Sequence, residues 1–200
     1  MIRIFLCGEG RTELGGRAGH PAYHDDAEPG VLVGLLRRVH ADGWMIVGAC
    51  SWAMLRKFRA NAPGARVPAD ARNVAIAALM AREAGADVLV FSRDDDGDAG
   101  RRVAISRGKA DASAKVPSVR IVGGLAVQCI EAWLLALAGE RGTEDLHRAR
   151  AKAQLEVRAP DTATKVAIID VADLDTVPDD ARSLHAWLAD ARAVFDATAT

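Results

Sequence analysis

Apolar positions follow two rhythms along this chain. Ile2 to Cys7, Met45 to Cys50, Val88 to Phe91 and Val119 to Val122 are short, nearly unbroken apolar runs. Runs of that length and composition predict buried strands. Elsewhere the spacing lengthens to that of a helix. Leu32, Leu35, Leu36 and Val39 share one face, and Gly43 stops the run. Val74, Ala77, Ala78 and Ala81 make a second face, with Asp70 as its expected cap and Gly85 just past its end. Ser51 to Ala60 reads as a basic helix and Asn61 to Pro68 as a loop with two prolines. Val127 to Leu137 is apolar almost all round, which predicts a helix buried on most sides. Beyond Gly139 the chain turns polar. A surface helix is expected over 145–154 and a short one over 162–170. Leu184, Trp187, Leu188 and Ala191 form a final amphipathic stripe, in which Trp187 serves packing.

Strands alternating with helices predict an α/β fold, a mostly parallel sheet flanked by helices. Residues 1–140 make the α/β domain, and residues 141–200 a helical extension packed on the same core. At 200 residues the chain suits one full domain. Its net charge of −1 excludes a uniformly basic nucleic-acid coat, so any polyanion contact must come from a local patch. Aromatics at 4% argue against a base-stacking platform. Cys7, Cys50 and Cys129 lie in apolar surroundings with no C-x-x-C pair, which suits reduced thiols in a cytoplasmic protein. The apolar N-terminus is too short for a signal peptide, and nothing approaches a membrane span.

Candidate chemistry begins where the third strand stops. Asp94, Asp95, Asp96 and Asp98 put four carboxylates within five residues. Like charges this close repel unless a cation joins them. Hard Asp oxygens suit Mg²⁺ or Mn²⁺, while a solvated turn capping a helix is the plainer alternative. Glu9 follows the first strand in Gly8-Glu9-Gly10-Arg11-Thr12-Glu13, a glycine loop that is neither G-x-G-x-x-G nor a P-loop. Glu131 interrupts the apolar helix, where a carboxylate needs either a buried cation or a chemical role. In a parallel α/β sheet the ligand crevice lies beyond the carboxyl ends of the strands. Glu9, Asp94, Asp96 and Glu131 are therefore expected to converge at one edge. His20, His24, Asp25 and Asp26 match no zinc spacing and read as a surface loop. Arg101, Arg102, Arg107, Lys109, Lys115 and Arg120 form a basic run opposed only by Asp111. That run is either a solvated loop or a phosphate-backbone contact.

Three motifs in this order carry a resemblance. Glu9-Gly10-Arg11-Thr12-Glu13 resembles the E-G-x-T-E opening of Toprim domains, and Asp94-x-Asp96 resembles their D-x-D. Ile130-Glu131-Ala132-Trp133-Leu134-Leu135 is similar to a stretch in small bacterial Toprim-like proteins, among them RloB-like proteins and a family often encoded beside an AAA-type ATPase. More distantly, the pattern resembles the nuclease half of overcoming-lysogenization-defect proteins. The resemblance covers residues 1–140 and implies a Toprim-like fold with Glu9, Asp94, Asp96 and Glu131 around Mg²⁺ or Mn²⁺. It further implies Lys165 as a catalytic charge neutraliser and Glu13 as a residue that orients the loop. The expected function is a metal-dependent nuclease or phosphodiesterase acting on DNA or RNA, in phage defence with an ATPase partner. Arg101, Arg102, Arg107 and Lys109 would hold the nucleic-acid backbone. The insertion from Gly15 to Gly30 departs from the pattern. The alternative is a non-catalytic module that senses nucleic acid or nucleotide, or docks on the ATPase.

Overall fold

The computed structural model describes residues 1–17, 28–55 and 67–197. The histidine loop and the basic residues Arg56, Lys57 and Arg59 lie outside them. The expected α/β architecture is present. Four parallel strands, β1 (Ile2–Gly8), β2 (Trp44–Ser51), β3 (Val88–Asp94) and β4 (Arg120–Ala126), form one sheet in the order β2-β1-β3-β4. Side chains alternate across a pleated strand, and both faces here are covered. Ile4, Leu6, Val88, Val90 and Val122 enter one core with α2 (Val31–Val39), α6 (Ile130–Leu137), α8 (Thr162–Val171) and α9 (Arg182–Asp196). Phe5, Cys7, Leu89, Phe91 and Ile121 enter the other with α4 (Ala69–Glu83) and α5 (Ala99–Lys115). The short helices α1 (Arg11–Leu14) and α3 (Trp52–Leu55) follow β1 and β2, and α7 (Arg148–Arg158) packs on α6. Leu155, Ile169, Leu184 and Trp187 from beyond residue 140 share the first core with β1 and β3.

Three local expectations need correction. The basic run is a helix, not a loop. Asp98 caps α5, its Oδ1 accepting from the Gly100 amide at 2.9 Å. The buried positions of α5 are mainly small: Ala104, Gly108 and Ala112 beside Ile105. A Cβ on Gly108 would lie 2.8 Å from the Ala71 Cα, so α4 and α5 meet almost backbone to backbone. Small residues at such a contact leave no strong apolar stripe to read.

β4 does not stop with the apolar run at Val122 but continues through Gly123-Gly124, which the sequence pattern reads as its end. Gly123 has φ +158°, and a Cβ there would sit 2.5 Å from the Phe91 ring. Because β4 is an edge strand, its outward groups need partners. The Gly123 amide donates to Asp190 Oδ2 at 2.9 Å, and its carbonyl accepts from Lys109 Nζ at 2.7 Å. Lys109 and Asp190 also pair with each other at 2.7 Å, which closes the edge.

Asp70 is not the cap of α4. The cap position is Pro68, and Asp70 sits inside the first turn. Its carboxylate instead accepts from Arg101 Nε at 3.1 Å and lies 3.6 Å from Arg93 Nε. The helix macrodipole still favours an acid at that position.

Candidate functional site

The strand order reverses between β1 and β3, since β2 lies on one side of β1 and β3 with β4 on the other. Such a switch point opens a crevice at the strand carboxyl ends. Glu9 follows β1 and Asp94 ends β3, so both stand at this crevice. α6 starts across from them. Asp94 Oδ1 accepts from the Ile130 amide at 2.9 Å, holding the helix start, and thus Glu131, beside the strand end. Three of the four expected carboxylates therefore feel one another. Burial, then Glu9, then Glu131 push the Asp94 carboxyl up to about 7, although the Ile130 amide and Arg148 oppose the rise. Glu13 is deeper still. Burial first, then the charge of Asp94, pushes it up to about 8, while its Oε2 accepts from the Gly10 amide at 3.0 Å. Glu13 thus braces the Glu9 loop.

Asp96 is drawn away from this group. Its Oδ2 accepts from Arg101 Nη1 at 2.7 Å, and its Oδ1 pairs with Arg148. Lys165 is buried on α8 and acts on Asp161 at the start of its own helix. Among the described residues no hydrogen bond or ion pair joins Lys165 to the four carboxylates. Asp95 has a structural job, for its Oδ1 accepts from Gly97 at 2.9 Å and Gln128 at 2.8 Å, tying the turn after β3 to the turn after β4. Asp96 and Gln128 have φ of +52° and +62° and are the described non-glycine residues with left-handed backbone. Such residues cost about 1–3 kcal/mol each and gather at functional sites.

Sequence reasoning missed the cation at the centre of this edge. Arg93 sits on β3 with a side chain only 4% exposed. It pairs with Glu9, faces Asp70, and its guanidinium carbon lies 5.5 Å from the Trp52 ring centroid. The signal was present: Leu89, Phe91 and Arg93 alternate onto one strand face, and a cation on a buried face requires an acid. Of the expected backbone-binding residues, Arg101 and Lys109 are engaged internally. Arg102 and Arg107 remain exposed, the former 3.9 Å from Asp95 and the latter 3.7 Å from Asp111. A cavity of about 660 Å³ opens beyond β4, lined by Arg102, Lys109, Leu125, Arg182 and Trp187 among others.

The donor set is chemically suited to a hard divalent cation. Glu131 Oε2 is buried without a hydrogen-bond partner, and Asp94 is crowded by negative charge that a cation would relieve. Against that, among the described residues no three His, Cys, Asp or Glu side chains form a group arranged to hold a metal ion. The chain matches no family model, no curated protein and no solved structure. No helix among the described residues is long and apolar enough to cross a membrane.

Proposed function

We propose that the protein is a divalent-metal-dependent phosphodiesterase acting on nucleic acid, with its centre at Asp94, Glu131 and Glu9. The observation that carries this reading is the convergence of those carboxylates at the β1/β3 switch point, with one Glu131 oxygen buried and unpartnered. Asp94 and Glu131 would hold Mg²⁺ or Mn²⁺, with Glu9 joining them if it leaves Arg93. Bound there, the ion would supply Lewis acidity and lower the pKa of a water. The chain's own residues set the rest. The Ile130 amide fixes Asp94, Glu13 fixes the Glu9 loop, and Arg93 stays beneath as the buried cation that Glu9 pairs with. Exposed Arg102 and Arg107 on α5, held by long surface ion pairs, would follow a phosphate backbone. Buried free thiols at Cys7, Cys50 and Cys129 suit the cytoplasm. An AAA-type ATPase partner and a part in phage defence rest on the sequence resemblance.

The test is cleavage of DNA and RNA oligonucleotides by purified protein with Mg²⁺, Mn²⁺ or chelator. Cleavage should need the metal and vanish in Asp94→Asn. Equal cleavage in chelator, or by that variant, would overturn the proposal. A non-catalytic module is the second reading. It is favoured by one observation: Arg93, Arg101, Arg148 and Lys152 already pair with the carboxylates. Metal-independent binding of nucleic acid without cleavage would select it.

A further inference from the structure

The first turn of α7 carries the wrong charges for a helix start. A helix N-terminus bears partial positive charge, so cations there are disfavoured. Yet α7 opens with Arg148 and Arg150 and has no acidic residue in its first turn. The sheet edge offsets this. Arg148 pairs with Asp96, and its Nη2 lies 3.8 Å from Asp94 Oδ2. One turn on, Lys152 Nζ lies 3.9 Å from Glu131 Oε1. The i,i+4 spacing puts both cations on one side of α7, so the helix lays them across three of the four expected carboxylates.

These two cations differ from the pair beneath. Arg93 and Arg101 are 4% and 15% exposed, and Arg101 makes three hydrogen bonds within the fold. Arg148 and Lys152 are 39% and 42% exposed. Their separations from Asp94 and Glu131 are longer than hydrogen bonds, so at those two carboxylates they act as loosely held charges. The second Glu131 oxygen, Oε2, is buried and makes no hydrogen bond, and the Cys129 thiol is the polar group beside this carboxylate.

We propose that Arg148 and Lys152 are internal competitors of the divalent cation for the carboxylates of this edge. They neutralise Asp94, Asp96 and Glu131 from the solvent side and must yield those oxygens when the ion binds. This rests on the metal reading above and adds that α7 sets how tightly the ion is held. The same competition would make metal occupancy respond to anything that draws the two cations away, such as the phosphates of a bound nucleic acid.

Titration calorimetry with Mn²⁺ on the full chain tests this in wild type, Arg148→Gln, Lys152→Gln and the double variant, with Asp94→Asn as the control. Both substituted side chains are part-exposed, and circular dichroism verifies the fold. The double variant should bind Mn²⁺ at least tenfold more tightly than wild type, each single variant by less, and Asp94→Asn should lose binding. Wild type binding Mn²⁺ with unchanged or weaker affinity in all three variants would overturn the competition and leave the metal reading standing. No Mn²⁺ binding by any of these proteins would overturn both.

Discussion

Glu13 reports the electrostatics of this edge without being a proposed ligand. It is 3% exposed, and a Cβ on Gly8 would lie 2.7 Å from its own Cβ, so the strand end closes directly over it. Burial and the charge of Asp94 raise its carboxyl from 4.5 to about 8. Between those two values the folded chain keeps the proton and the unfolded chain releases it. The unfolded state then binds fewer protons, so stability falls as pH rises. The contribution is fully present below the unfolded pKa and gone above the folded one. The slope is about 1.4 kcal/mol per pH unit. From pH 5.5 to 8.5, most of which lies inside this window, wild type should therefore lose about 3 kcal/mol through Glu13 alone.

Glu13→Gln keeps an oxygen for the Gly10 amide but does not titrate. Its stability should stay flatter, and the variant should gain about 3 kcal/mol on wild type across that range. Urea unfolding in chelator at four pH values between 5.5 and 8.5 measures the difference. Parallel pH curves for the two proteins, within about 0.5 kcal/mol, would refute both the burial and the crowding argument.

Three further outcomes follow from the packing. Gly123→Ala should cost about 2–3 kcal/mol in chemical denaturation, since a methyl group there meets the Phe91 ring and the backbone is left-handed. Arg93→Met should cost about 2–3 kcal/mol in the same measurement, because it leaves Glu9 without the buried cation it pairs with, while Asp70 keeps Arg101. Arg102→Ala with Arg107→Ala should weaken oligonucleotide binding and flatten its dependence on log salt by about 0.9 for each phosphate that is no longer neutralised. A salt dependence identical to wild type would remove both residues from the interface.

The strands were legible because each is a short apolar run buried on both faces, and Ile4, Leu6, Leu89 and Phe91 sit where alternation puts them. Topology alone also placed Glu9, Asp94 and Glu131 at one edge. What escaped was held by features that leave little trace in an apolar pattern. α5 packs through Ala and Gly, so it read as a basic loop. Gly123 and Gly124 looked like a strand end, although Phe91 across the ladder requires the first of them to be glycine. Trp187 was readable as a packing residue and is buried, but its indole also donates to the Phe91 carbonyl at 2.9 Å. Trp52 does the same for the Ser92 carbonyl at 2.7 Å. Long-range pairs such as Arg148 with Asp96 have no local signature, because tertiary packing, that of α7 on α6, brings them together.

The acidic knot shows why four adjacent carboxylates need not be four ligands. Asp98 spends its oxygen on the start of α5, and Asp95 staples two turns through one oxygen that accepts two amides. Those amides come from Gly97 and Gln128, so the staple brings together the turns in which Asp96 and Gln128 adopt left-handed backbone. The turn reverses the chain within a few residues of β3. That reversal aims Asp94 inward at α6 and leaves Asp96 outward, within reach of Arg101 on α5 and Arg148 on α7. Asp94 thus faces Glu131 with cations at the solvent side, whereas Asp96 is already neutralised. The two carboxylates of the D-x-D pattern are therefore unequal. Loss of Asp94 should remove the cation site, whereas loss of Asp96 removes oxygens that Arg101 and Arg148 already neutralise and should weaken Mn²⁺ binding less, as titration calorimetry of Asp94→Asn and Asp96→Asn would show.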